Sequence, residues 1–304
     1  MKIPFFLVTG FLGSGKTTLL KRFLKQYSGG KRIGVIQNEF APASIDGIEL
    51  KAEGKDFHIL EINNGSVFCV CLLGDFIKSL SNFIDDKKPD IIILESSGLS
   101  DPIAIAEMLQ LGDVKNKVYL SHTWCVADAS NFEKLDKLGT QVRHQIRIAD
   151  TVVINKTDLV NDNLELIKSR IIELNPFAQI EQTSFCNINF DDIFQPFQLT
   201  PVAIKRADEN AMLESGGRPD VQVKVVKTGR KIPYETLRAF IDRYTSQTYR
   251  IKGYINSDEG CVYAVQTSGS SKNIIRVDHY SGQSLLILMG HNLDTGQIRK
   301  DLNL

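Results

Sequence analysis

Gly10-Phe11-Leu12-Gly13-Ser14-Gly15-Lys16-Thr17 fits the pattern G-x-x-x-x-G-K-[ST]. Glycines at these positions let backbone amides turn inward around phosphate oxygens, and a helix starting at the lysine adds positive potential. Lys16 is spaced to reach the β and γ phosphates, and the Thr17 hydroxyl suits a Mg²⁺ coordination position. Gly10, Gly13, Ser14, Gly15, Lys16 and Thr17 are therefore the expected contacts of a nucleotide. A ligand-free glycine turn is the plainer alternative, but a strand before the motif and a helix after it are what the phosphate reading requires.

Two further segments specify the chemistry. Asn155-Lys156-Thr157-Asp158 follows the apolar run Thr151 to Ile154, and ligands of open α/β sheets sit beyond the carboxyl ends of such strands. The Asp158 carboxylate can accept two hydrogens from guanine N1 and N2, a pair that adenine does not offer. The Lys156 stem can lie on the base, and Asn155 can tie the loop together. Alone, the tetrapeptide would read as a solvated turn; downstream of a phosphate loop it points to guanine. The third segment is Ile91 to Leu94 followed by Glu95-Ser96-Ser97-Gly98. A carboxylate leaving a buried strand suits a Mg²⁺ site or an attacking water, and the Gly98 amide can approach a γ-phosphate.

These residues need a scaffold. Short β-forming runs at 3–9, 32–37, 58–62, 91–94, 118–126 and 151–154 alternate with helical periodicity at 17–27, 74–84 and 164–174. Pro102 is placed to open another helix behind Asp101. Strand–helix alternation predicts a mostly parallel α/β sheet. The expected organisation is a P-loop domain over 1–199, a linker over 200–219 rich in charge, glycine and proline, and a small α+β domain over 220–304. In the last, strands at 221–226, 249–255, 261–266, 274–279 and 284–289 accompany a helix at 233–244.

The 304 residues carry 36 Lys plus Arg against 36 Asp plus Glu, a formal net charge of zero. A neutral chain lacks the basic field that holds nucleic acid or an anionic membrane. Its apolar runs are too short to span a bilayer, and Met1-Lys2 does not open a secretory signal. Five cysteines in a chain of this length are the pattern of reduced thiols in a cytoplasmic protein.

With these residues together, the chain resembles the CobW-like family of GTPases. The resemblance is carried by Gly10 to Thr18, by Asn38-Glu39-Phe40 with Asp46 downstream, by Glu95 to Pro102, by Asn155 to Leu159, and by Tyr249-Arg250-Ile251-Lys252-Gly253-Tyr254. It implies that Thr18 joins the nucleotide contacts and that hydrolysis of GTP is slow and coupled to handling a metal or metallocofactor. It also implies that 38–46 is a mobile switch with Asp46 near Mg²⁺ or the attacking water, and that two copies pair through their nucleotide faces when GTP is bound.

One departure stands out. The family carries Cys-x-Cys-Cys just after an Asn-Gly pair, whereas Asn64-Gly65 here precedes Ser66-Val67-Phe68-Cys69-Val70-Cys71. Two thiolates at i and i+2 can bind a soft metal such as Zn²⁺ with Glu39 or a histidine completing the shell. They are equally consistent with two small buried side chains. His122, Cys125 and Trp124 share an apolar strand and read as packing, and His144 as a surface or caging contact. Two functions follow. The first is a GTP-hydrolysing metallochaperone or activator serving a client metalloprotein, with Lys16, Asp46 and Glu95 as its catalytic group. The second is a metal-free nucleotide switch that remodels a partner enzyme.

Overall fold

β-Branched and aromatic runs form the strands, and amphipathic stretches between them form the helices. The computed structural model describes residues 2–38, 57–62, 70–98, 102–134, 140–160, 163–175, 177–191, 222–268, 271–277, 280–290 and 292–304. The chain divides into two compact units, 1–191 and 192–304. The expected linker, 200–219, lies outside the described residues.

In the first unit the strands are β1 (Ile3–Thr9), β2 (Ile33–Asn38), β3 (Phe57–Ile62), β4 (Ile91–Glu95), β5 (Val118–Asp128), β6 (Thr151–Asn155) and β7 (Gln179–Gln182). They form one sheet in the order β3-β2-β4-β1-β5-β6-β7, and every neighbouring pair is parallel. The chain runs out from β1 to β2 and β3, returns through β4 to lie beside β1, and continues on the other side through β5, β6 and β7. This reversal places the loops after β1, β4, β5, β6 and β7 at one edge of the sheet, where α/β proteins hold ligands. All five residues of β6 are buried, as a strand covered on both faces requires.

Among the described residues, helices of this unit include α1 (Lys16–Tyr27), α2 (Val70–Lys87), α3 (Pro102–Met108), α4 (Val114–Lys117), α5 (Thr140–Ile148) and α6 (Leu164–Leu174). α1 buries Leu19, Leu20, Phe23 and Leu24. Phe23 stands 5.5 Å from Phe6, 5.9 Å from Trp124 and 5.6 Å from Phe190, ring centre to ring centre. That aromatic cluster fixes the helix that carries Lys16 and Thr17 against β1 and β5. Trp124 is a packing residue. Sequence periodicity placed nothing at β7, a short polar strand at the sheet edge.

The second unit holds β8 (Gln222–Thr228), β9 (Thr248–Asn256), β10 (Val262–Ser268), β11 (Ser271–Val277) and β12 (Ser284–Gly290). They form an antiparallel sheet in the order β11-β10-β9-β12-β8. Its core gathers Val226, Leu237, Phe240, Ile241, Ile251, Val265, Leu286, Leu288 and Ile298, from the sheet and from α7 (Tyr234–Tyr244) and α8 (Thr295–Asp301). α8, which the sequence reading did not place, starts at Asp294, whose Oδ1 accepts from Gln297 N at 2.6 Å. Gly253 sits where β9 passes β12: a Cβ there would lie 1.9 Å from Leu285 O, so only glycine fits. Among the described residues no helix is long and apolar enough to cross a membrane.

Candidate functional site

The loop after β1 is shaped by three glycines in the left-handed region. Gly10 has φ +140° and Gly15 φ +113°; a Cβ on Gly10 would lie 2.3 Å from Val126 O, and one on Gly15 2.4 Å from Asn155 Nδ2. Gly13, at φ +72°, faces open space. α1 begins directly behind Gly15, which has no side chain with which to cap it, so the helix end faces the cradle. The hydroxyls of Thr9 and Ser14 are buried without a hydrogen-bond partner, and the backbone turns around them. Orphaned donors, left-handed glycines and a helix N-terminus together fit an anion. Lys16, 7% exposed, folds back to donate from Nζ to Phe11 O at 3.0 Å.

Glu95 ends β4, and its Oε1 accepts from the Thr17 hydroxyl at 2.8 Å. A hydroxyl and a carboxylate joined at the mouth of a phosphate loop are the oxygen donors that Mg²⁺ prefers, so these residues fit that ion. Past the strand, Ser96 N donates to Val8 O at 2.9 Å. Gly98 is pressed against the phosphate loop: a Cβ there would lie 2.6 Å from Leu12 N. Gln145 of α5 donates to Gly98 O at 3.1 Å. The backbone at 98 can reach the cradle because it carries no side chain.

Asn155 ends β6 and is 3% exposed. Its Nδ2 donates to Ser14 O at 2.8 Å, and its Oδ1 accepts from Cys186 N at 2.9 Å. One side chain therefore joins the phosphate loop, the base loop and the loop after β7. Lys156 adopts φ +61°, and its Nζ lies 2.7 Å from Asp128 Oδ2. Burial opposes ionisation of Asp128, yet hydrogen bonds from Lys156, Ser130 and Asn131 outweigh it and hold the carboxyl below its usual range. Asp158 lies in a 3₁₀ turn, Thr157–Leu159, and its N–H donates to Ser184 Oγ at 3.3 Å.

The structure thus brings Gly10, Gly13, Ser14, Gly15, Lys16, Thr17, Glu95, Gly98, Asn155, Lys156 and Asp158 to one edge of the sheet, with Thr18 in the first turn of α1. Glu39, Asp46 and Cys69 lie outside the described residues. Cys71 falls in the first turn of α2, and its side chain lies outside them too. Among the described residues, no three His, Cys, Asp or Glu side chains are grouped to hold a metal ion.

Two contributors were missed. Asp128 ends an apolar strand, a signal of the same kind as Glu95. The loop 183–187 follows a strand with almost no sequence signature. His122 meets Thr151 Oγ1 at 3.0 Å and packs on Trp124 with ring centres 4.6 Å apart, a structural role. His144 is only 5% exposed, so the surface alternative expected of it is corrected: its side chain is buried on α5.

Cys125 and Cys186 are buried, and Cys186 Sγ donates to Gly15 O at 3.3 Å. Burial pushes both thiols up to about 12. The native chain is therefore expected to leave both cysteines unalkylated by iodoacetamide at pH 8, whereas the denatured chain loses both thiols, as read by mass spectrometry. Because the folded thiols hold protons that the unfolded ones release from about 9, stability is full below 9 and falls as pH rises towards 12. A Cys125→Ala, Cys186→Ala variant should lose stability less steeply over that range.

Comparison with known proteins fits this geometry. The model of the CobW/HypB/UreG nucleotide-binding domain matches residues 4–182. The chain belongs to the CobW/HypB/UreG family. Within that family it is 33% identical over 187 residues to the zinc chaperone CobW of Sinorhizobium, covering 53% of this chain and 52% of that one. It is 30% identical over 210 residues to the zinc-regulated GTPase metalloprotein activator 1 of Schizosaccharomyces pombe, covering 65% and 49% respectively. The chain spans about half the length of the curated relatives it matches. The crystal structure of Zn(II)-bound YjiA GTPase from E. coli superposes with a TM-score of 0.61 at 20% identity, over 100% of this chain and 98% of that one. At that identity the likeness speaks for the fold, including the antiparallel second sheet.

Proposed function

We propose that this CobW-family chain is a GTP-hydrolysing metallochaperone or activator that delivers a metal or metallocofactor to a client metalloprotein in the cytoplasm. The observation that carries the nucleotide half is the Asn155 side chain, bonded at once to Ser14 O and to Cys186 N. It joins the phosphate cradle to the base loop, which supports a nucleotide lying across the strand tips. The names of the relatives, a zinc chaperone and a zinc-regulated GTPase metalloprotein activator, support the metal half, with Zn²⁺ as cargo.

In this reading the phosphates displace Phe11 O from Lys16, whose ammonium then offsets charge on the β and γ oxygens. Thr17 and Glu95 would hold Mg²⁺, which when bound neutralises further phosphate charge. Glu95 or Asp46 orients the water, Asp158 takes the guanine edge, and Gly98 registers whether the last phosphate is present. Release of that phosphate shifts the 38–46 and 65–71 segments, and with them Cys69 and Cys71, with Glu39 as a further ligand. Pairing of two chains across the nucleotide belongs to the same reading; nucleic acid does not, given the zero net charge.

A second reading, a metal-free switch, is favoured by Ser66 and Phe68 standing where the family carries cysteine. Equilibrium Zn²⁺ binding with GDP and with a non-hydrolysable GTP analogue separates the two. Carrier function requires an affinity that differs between the nucleotides and falls in a Cys69→Ser, Cys71→Ser variant. No binding in either state, with GTP turnover intact, leaves the switch.

A further inference from the structure

We propose that Gln145 is the positioning residue for the Gly98 amide, holding it ready for the terminal phosphate of GTP; this rests on the reading of Gly98 as the group that meets that phosphate. Gly98 is buried and pressed on the phosphate loop, where a Cβ would lie 2.6 Å from Leu12 N and 3.1 Å from Phe11 C. That approach requires glycine, and glycine is the residue whose backbone turns most freely. Nothing in the residue itself then fixes the direction of its amide, so the direction has to be set from outside. Two hydrogen bonds set it. Ser96 N donates to Val8 O at 2.9 Å, and Gln145 Nε2 donates to Gly98 O at 3.1 Å. The Gly98 N–H lies in the chain between these two anchors.

Gln145 is suited to be the fixed end of its bond. It is 1% exposed, and a buried amide carries a desolvation cost that an apolar side chain of the same size avoids, so packing alone does not account for it. Its helix is held at the carboxyl end: Asn175 Nδ2 donates to Ile146 O at 2.8 Å and to Arg147 O and Ala149 O at 3.0 Å each. The neighbouring Ile146 belongs to the core cluster with Val152, Ile154 and Ile171. A rigid helix thus orders the glycine before nucleotide arrives, and a donor ordered in advance stabilises phosphate charge without reorganising as it binds. GDP ends at the β-phosphate and does not call on this amide. The contribution of Gln145 is therefore confined to the triphosphate.

Calorimetric titration of the whole chain with GDP and with a non-hydrolysable GTP analogue tests this. Gln145→Met keeps the length of the side chain and removes the donor. It is expected to weaken binding of the analogue about tenfold, the loss that one hydrogen bond to a charged group produces, and to leave GDP affinity as in the wild type. Gln145→Asn keeps the amide on a stem one methylene shorter and should show the same selective loss. Gly98→Ala checks the underlying reading, since its methyl group would strike Leu12 N and drive the amide off the loop; the ratio of analogue to GDP affinity should fall. If it falls there while Gln145→Met and Gln145→Asn keep the wild-type ratio, the positioning proposal alone is overturned. If Gly98→Ala keeps the wild-type ratio, the reading of Gly98 falls and the proposal with it. Equal loss of GDP and analogue binding in both Gln145 variants would also overturn it, since the side chain would then be bracing the fold.

Discussion

Replacing Lys16 by alanine is expected to lower GTP turnover about 10²–10³-fold, the usual consequence of deleting one preorganised donor aimed at developing charge. The reasoning starts from where the ammonium is held. Lys16 is the first residue of α1 and is 7% exposed, and its Nζ donates to Phe11 O at 3.0 Å. That bond keeps the long side chain curled over the cradle rather than extended into water, so little rotamer freedom remains to be lost when phosphate arrives. A lysine in this position contributes more to the transition state, where charge accumulates on phosphate oxygens, than to the ground state. Lys16→Arg should not rescue the rate: a planar guanidinium is longer and wider than an ammonium, and the cradle is closed by Gly10 and Gly15, whose missing Cβ atoms already face Val126 O and Asn155 Nδ2. Both variants should stay folded, because the aromatic cluster around Phe23 anchors α1 independently of its first residue. Steady-state release of phosphate, with melting temperature as the fold control, decides the matter. Unchanged turnover in Lys16→Ala would place hydrolysis elsewhere.

Much of this site could be read from residue order, and the exceptions share a cause. Gly10 to Thr17 and Asn155 to Asp158 are contiguous, so their chemistry is visible in one dimension, and the β-branched runs before them announce the strands that end there. Ile91 to Leu94 gave away β4 and hence Glu95. What escaped was chemistry made by pairing. Asp128 matters because β5 and β6 lie side by side in a register that sets Asp128 against Asn155, and nothing local to Asp128 says so. The contact between Cys186 and Asn155 joins residues that are adjacent only after β7 is added to the sheet. β7 itself has just Ile180 to mark it, and its ends are exposed, as befits an edge strand whose stability comes from the ladder with β6 rather than from apolar burial. Periodicity also gave no hint of α8, since only Ile298 of its seven residues is buried in the core; its cap, Asp294, was the readable sign. The CobW-type sequence elements at Glu39, Asp46 and Cys69 are legible as residues but lie outside the described part of the chain.

Asn155→Ala is expected to be the most damaging single substitution in the nucleotide unit. The side chain is 3% exposed and makes two bonds, from Nδ2 to Ser14 O at 2.8 Å and to Oδ1 from Cys186 N at 2.9 Å. Alanine removes both and leaves a buried carbonyl and a buried amide without partners, each costing about 1–3 kcal/mol. The truncation also opens space beside Gly15, whose Cα faces Asn155 Nδ2 closely enough that a methyl group would collide with it. A total of about 2–6 kcal/mol follows from adding the two unpaired groups, enough to lower the melting temperature of a unit this size by about 4–24 °C. The loss should appear in function as well, since the phosphate loop and the loop bearing Phe185 would no longer move as one body. GDP affinity is expected to fall more than the melting shift alone explains, which calorimetry at a temperature well below the transition can show. Asn155→Asp separates the two bonds: its carboxylate keeps an acceptor for Cys186 N but sets oxygen against Ser14 O, so it should retain the β7 loop and still disturb the cradle. Should Asn155→Ala melt and bind like the wild type, the joint between the two loops would have to be carried by Cys186 Sγ and Gly15 O alone.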